Sequence, residues 1–282
     1  MNANQGNNNG IRNQNSAPLH YMIPYILVFV SLLGMYYLYQ YLFGARTGTP
    51  YTLVSSTQSS TVPNQPIIIR ADQLPQLFEG GEFTVSTWIY VSNWSYRSGL
   101  MKSIFRIGGT QFDTCRIYLG GRTPKLHIRF HTHEKGIPHN HHVEDDLSKE
   151  ATATLFTTLS MDINDTDDIA PLCDLPEISL QRWVHLTVSV NSKTVDVYTD
   201  GKLARSCVLP LQYKVDSSGY SASLLDYGGF GGQLSTTTMY DTALNPESVH
   251  KIYMAGPEPI TSFGGWLKSV FSPGLSLSVN AS

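Results

Sequence analysis

The densest chemistry in the sequence is a run of imidazoles. Between Lys125 and His133, His127, Arg129, His131 and His133 alternate with Leu126, Ile128 and Phe130. Successive side chains of a strand point to opposite faces, so the histidines share one face and the apolar residues the other. His139, His141 and His142 follow, then Glu144, Asp145 and Asp146. Imidazoles at i and i+2 with a loop ligand suit zinc or nickel. No zinc-site spacing is matched, however, so the favoured reading is a solvated polar face carrying ordinary surface histidines.

A second constellation is acidic. Asp162, Asn164, Asp165, Asp167 and Asp168 offer oxygen ligands of the kind calcium takes. No glycine stands at the sharp-turn position of an EF-hand, which favours a solvated acidic loop. The sequence requires no cofactor; calcium and zinc are the candidates. No nucleophile elbow, phosphate-binding loop or H-E-x-x-H pair is present. Asn93-Trp94-Ser95, Asn164-Asp165-Thr166 and Asn280-Ala281-Ser282 fit the N-glycosylation acceptor pattern, which matters only if the domain faces a lumen.

These residues must be positioned by strands. Val184, Leu186, Val188 and Val190 alternate with Trp183, His185, Thr187 and Ser189, the period of a half-buried strand. A second strand over Val195–Tyr198 runs into Asp200-Gly201, the pair that best tolerates a two-residue hairpin turn. Lys202–Leu209 returns as a third strand, giving an antiparallel meander that needs a second sheet to cover it. Further strands are expected at Ile67–Ile69, Phe83–Val91, Ser103–Ile107, Cys115–Leu119, Lys125–His133 and Gln233–Tyr240. Glu134–Glu177 interrupts this rhythm as a long insertion, with one further strand expected over Ala153–Met161. A short helix opens at Asn245-Pro246-Glu247, where Asn suits the cap and Pro the first turn.

The N-terminal part is different. Residues 1–20 are Asn-rich and nearly free of apolar side chains, the composition of a disordered tail. Residues 21–44 hold an uncharged run, Met22 to Phe43, long enough to cross a bilayer core of roughly 30 Å. Pro24 is expected in its first turn. Tyr21 and Tyr25 near one end, and Tyr36, Tyr37, Tyr39 and Tyr41 near the other, resemble interfacial belts. A cleaved signal peptide and a buried core helix are the competing readings. The run exceeds the usual signal-peptide length, and Ser31, Gly34 and Gln40 are too few for a polar face. Arg12 and Arg46 nearly cancel, so orientation stays open. Residues 45–65 read as a Ser/Thr/Pro-rich stalk, 66–256 as the domain with its insertion at 134–177, and 257–282 as a C-terminal tail.

With 282 residues, 41% hydrophobic and 15% charged, the chain can bury one sizeable core. A net charge of -3 without a basic cluster gives no footprint for nucleic acid. Cys115, Cys173 and Cys207 permit one pair plus a thiol, or three thiols, and spacing does not choose.

Four motifs in order carry a family resemblance. They are Trp183-Val184-His185 opening a strand, Val195 to Leu203 with its Asp-Gly turn, Gly229-Phe230-Gly231-Gly232-Gln233-Leu234, and Met239 to Val249. With Phe83–Tyr90 as an early strand, the series resembles the laminin-G-like branch of the concanavalin A-like lectin/glucanase superfamily over Pro66–Gly256. The resemblance implies an all-β jelly-roll sandwich of two antiparallel sheets, with one N-terminal transmembrane helix added by the sequence itself. The E-x-D-x-E carboxylate run of that superfamily's glucanases is absent. Expected, then, is a membrane-anchored, non-catalytic module that binds a glycan or protein, with the lipid bilayer as a further partner. The order of tail, helix and domain is similar to proteins of large DNA viruses, which implies as second reading a structural virion, coat or capsid component. A divergent glycosidase or metal-dependent hydrolase is third.

Overall fold

A computed structural model of the chain describes residues 17–43, 48–61, 66–132, 147–159 and 173–257. It divides into two units, Met1–Arg46 and Thr47–Ser282.

In the first unit a single helix, α1 (Ala17–Phe43), runs for 27 residues, about 40 Å at the α-helical rise. Its window Met22–Tyr39 is long and apolar enough to cross a membrane, a test that a signal sequence near the N-terminus also passes. The helix begins five residues earlier than expected, so Pro24 lies inside it and not in its first turn. A proline there removes one backbone hydrogen bond. Tyr36 and Tyr37 meet edge to face at 5.7 Å, and Phe43 ends the helix.

The second unit is a two-sheet sandwich. Its strands are β1 (Pro50–Val54), β2 (Gln58–Ser59), β3 (Ile67–Arg70), β4 (Glu82–Val91), β5 (Lys102–Gly109), β6 (Asp113–Leu119) and β7 (Leu126–Phe130). After α2 (Lys149–Thr157) come β8 (Trp183–Asn191), β9 (Thr194–Thr199), β10 (Lys202–Val208), β11 (Tyr220–Leu224), β12 (Gly232–Tyr240) and α3 (Pro246–Ala255). The seven-stranded sheet has the order β1-β12-β4-β8-β9-β10, with β2 also paired to β12; the five-stranded sheet is β3-β11-β5-β6-β7. Every pairing is antiparallel.

Alternation decides what lies between the sheets. Phe83, Val85, Ile89 and Val91 of β4 join Val184, Leu186, Val188 and Val190 of β8 in one buried cluster. Phe105, Ile107, Ile117, Ile128 and Phe130 face them from the smaller sheet. Asp200 and Gly201 adopt φ of 51° and 73°, the left-handed geometry the β9–β10 hairpin needs. A Cβ on Gly201 would also come within 2.9 Å of Tyr253, so glycine is required twice there.

Two expectations are corrected. The strand expected at Ala153–Met161 is the helix α2, capped by Ser148, whose Oγ accepts from the Ala151 amide. The Thr-rich sequence looks strand-like, but Thr152, Thr154 and Thr157 each donate to the carbonyl four residues back and so fit a helix. The stalk assigned to 45–65 contains β1 and β2, because Tyr51 and Val54 find partners in Met239 and Thr237 of β12. The sandwich therefore starts before Pro66.

Candidate functional site

The outer face of neither sheet is simply open to solvent. On the larger sheet, α3 crosses the polar side of β4, β8 and β12. Asn245 caps it, its Oδ1 accepting from the Ser248 amide at 2.8 Å, and Pro246 fills the first turn as the sequence predicts. Val249 and Ile252 pack with Tyr198, Tyr240 and Leu244. The ring of Tyr253 stacks on Trp88 at 5.7 Å and 19°.

Beside this helix lies a cavity of about 320 Å³. Its walls are Thr52 on β1 and Ser55 just after it, Ser86 and Trp88 on β4, Thr236, Thr238 and Tyr240 on β12, and Ile252, Ala255 and Gly256 at the end of α3. No Asp, Glu, Lys, Arg or His is among these residues. Thr236 donates its hydroxyl to the Pro257 carbonyl at 2.7 Å. The hydroxyls of Thr52, Ser55, Thr238 and Tyr240 make no hydrogen bond to another described residue. Burial pushes the Tyr240 phenol above its ordinary pKa, so it stays a neutral donor and acceptor.

One wall residue is joined to a histidine. Ser86 Oγ lies 2.8 Å from Nε2 of His185, and Thr187 donates to Ser86 at 3.2 Å. The imidazole is fully buried against Trp88, at 4.9 Å between ring centres. That burial drives its pKa down to about 4 and keeps it neutral. A nucleophile–base pair needs a third group on the far ring nitrogen. Here Nδ1 has no partner among the described residues, and Asp200 instead accepts from the His185 backbone amide at 3.1 Å while holding Arg182. Among the described residues no acid orients this imidazole as in a hydrolytic triad.

The smaller sheet carries a charged layer. Arg106 faces Arg116 across β5–β6, and Arg116 faces Arg129 across β6–β7, so three guanidinium groups form a row. Like charges side by side are unfavourable on a sheet unless neutralised. Arg106 reaches Asp113 and Asp226, each at 2.6 Å. Arg116 lies 3.6 Å from Asp113, which also accepts from Thr152 of α2 at 2.7 Å. Arg129 pairs with Asp174. Burial alone would raise the Asp174 carboxyl, but hydrogen bonds and charge from His127 and Arg129 hold it below the ordinary carboxylate range. At Asp113 burial outweighs its partners, and the pKa is raised. Met101, Tyr118, Leu155 and Phe156 seal this layer under α2.

Within this layer His127 is buried, with Nδ1 3.1 Å from Asp174 Oδ2 and its ring stacked on Tyr118 at 4.9 Å. The face expected to be solvated is thus covered, because the insertion folds back over it. His131 lies just past β7, stacked on Phe112 at 4.1 Å. His133, His139, His141 and His142, and the acidic set Asp162, Asn164, Asp165, Asp167 and Asp168, lie outside the described residues. Among the described residues no group of three His, Cys, Asp or Glu is placed to hold a metal. Cys173 and Cys207 form a disulfide, and Cys115 is a buried thiol whose pKa burial raises. Sequence reasoning missed the cavity; its one available sign was Trp88 and Tyr90 on the polar side of β4.

Residues 56–250 match a family model described as the concanavalin A-like lectin/glucanases superfamily, which covers more than half of the chain. No curated protein matches the chain. Among solved structures, the receptor binding domain of botulinum neurotoxin D is similar at 12% identity and TM-score 0.46, over 71% of this chain and 44% of that one. The serotype D ligand binding domain in complex with N-acetylneuraminic acid is similar at 12% identity and TM-score 0.41, over 73% and 42%. Trypanosoma rangeli sialidase follows at 10% identity and TM-score 0.35, over 62% and 23%. The chain thus spans less than half the length of these structures, and nothing about it is argued from likenesses this distant.

Proposed function

Because the chain belongs to the concanavalin A-like lectin/glucanases superfamily, we propose that it is a membrane-tethered, non-catalytic recognition module that holds a neutral glycan in the cavity beside α3. The observation that carries this is the lining: the half-buried ring of Tyr240, backed by the buried Trp88, together with hydroxyls of Thr52, Ser55 and Thr238 that have no described protein partner. A sugar ring presents C–H groups on its faces and hydroxyls at its edges. Aromatic side chains cover the first, and uncommitted hydroxyls replace the water lost by the second. A lining without charged residues favours a neutral saccharide over an acidic one, since a carboxylate would be desolvated there without a cation. In this reading α1 remains in the bilayer as the tether and the sandwich is displayed from it.

The test uses the full chain in lipid nanodiscs against a panel of neutral and acidic glycans, followed by calorimetry on the best binder. Thr238→Val and Tyr240→Phe each remove one hydroxyl while keeping shape. Each is expected to weaken binding by about tenfold, the scale of one hydrogen bond of about 1.4 kcal/mol. Absence of saccharide binding at millimolar concentration would overturn the glycan reading. Release of the intact chain from membranes by alkaline carbonate would overturn the tether.

A further inference from the structure

We infer that Asn93 carries an N-linked oligosaccharide, on a sandwich that lies on the oxidising side of its membrane. The acceptor triplet Asn93-Trp94-Ser95 begins two residues past the last residue of β4, Val91. Such triplets arise by chance, so the sequence alone decides nothing. The local structure does more. Trp94 is pinned inward: its Nε1 donates to the Arg122 carbonyl at 2.9 Å, and the Lys102 ammonium lies 4.3 Å from its ring centre. Lys102 is itself fully buried, held by the carbonyls of Gly121 at 3.1 Å and Leu100 at 3.3 Å. With the middle residue fixed, Asn93 and Ser95 on either side of it are exposed.

The amide of Asn93 is also divided usefully. Its Oδ1 accepts from the Ser95 backbone amide at 3.0 Å, a local turn that orients the side chain. Its Nδ2, the atom that would bond the sugar, has no partner among the described residues. A glycan there displaces no protein hydrogen bond.

The independent observation is the Cys173–Cys207 disulfide. Protein disulfides persist in oxidising compartments and are rare in the cytosol. In a secretory lumen the same compartment performs glycan transfer. α1 can start translocation either as a tether or as a signal sequence, so the inference does not depend on the choice between them, nor on what the cavity binds. In the transfer, Asn93 Nδ2 bonds the anomeric carbon of a lipid-pyrophosphate-linked oligosaccharide. The anomeric C–O bond breaks, the lipid pyrophosphate departs with that electron pair, and the amide nitrogen gives up one proton.

The experiment expresses the full chain in insect cells and maps glycopeptides before and after peptide N-glycosidase, with non-reducing peptide mapping of Cys173 and Cys207 on the same sample. Asn93 is expected to be occupied. Asn93→Gln and Ser95→Ala should each remove one glycan, and Ser95→Thr should keep it. An unmodified Asn93 overturns the inference either way. With the disulfide formed, the fault lies in the site; with both thiols free, it lies in the compartment.

Discussion

Arg129 grips Asp174 with both arms of its guanidinium, Nη1 on Oδ1 and Nη2 on Oδ2 at 3.2 Å, and so ties the end of the long insertion to β7. The same carboxylate accepts from the Ile128 amide at 3.1 Å, and the neighbouring Leu175 exchanges two backbone hydrogen bonds with Leu126. Residues 174 and 175 thereby cover the outer edge of the five-stranded sheet, which would otherwise present unpaired backbone groups.

Removing one side of this pair should be costly. Asp174→Asn takes a carboxylate charge away from a buried guanidinium and is expected to lower stability by about 3–5 kcal/mol. The double variant Asp174→Asn with Arg129→Met should recover part of the loss. Urea unfolding of the set checks this, and additive losses would refute the coupling.

His185 makes stability depend on pH. Its folded pKa of about 4 lies below the ordinary 6.5, so between these values the unfolded chain takes up a proton that the folded chain refuses. Stability should therefore be full above pH 6.5, decline as pH falls, and have lost about 3 kcal/mol by pH 4. His185→Gln should flatten that part of the profile, measured as melting temperature against pH.

The disulfide closes a separation of 34 residues, for which chain entropy gives a stabilisation of about 3–4 kcal/mol. Cys207→Ser should lose about that much. Because Cys173 adjoins Asp174, combining Cys207→Ser with Asp174→Asn should cost less than the two losses added, and a double-mutant cycle reads the difference.

Lys102 serves as a cation built among carbonyls, with those of Arg97 and Gly120, each at 3.4 Å, joining Gly121 and Leu100. Lys102→Met keeps the stem but strips those acceptors of a charged donor. A loss of about 3 kcal/mol or more is expected, with a changed Trp94 fluorescence environment reporting where the damage lies. Unchanged stability would show that the carbonyls find other partners.

Much of the sandwich was legible because its causes are local. The meander follows from the alternation of Val184–Val190 and from Asp200-Gly201, and the α3 start follows from Asn245-Pro246. These depend on backbone preferences that a few residues set by themselves. The Thr-rich α2 was misread because β-branched residues favour strands until tertiary burial of Leu155 and Phe156 selects the helix. The virion reading, which rests on the order of parts alone, stands where the sequence left it.

The candidate site was less accessible, again for a physical reason. Alternation along β4 and β8 says which side chains share a face, but not what covers that face. The sequence by itself determined an apolar helix ahead of an all-β sandwich, and the inward set of each long strand. Only the folded chain decided that α3 would roof Ser86 and Trp88 into a cavity, that Cys173 would reach Cys207, and that Asp174 would neutralise Arg129. Each of those contacts joins residues distant along the chain, and packing brings them together where no local spacing records it.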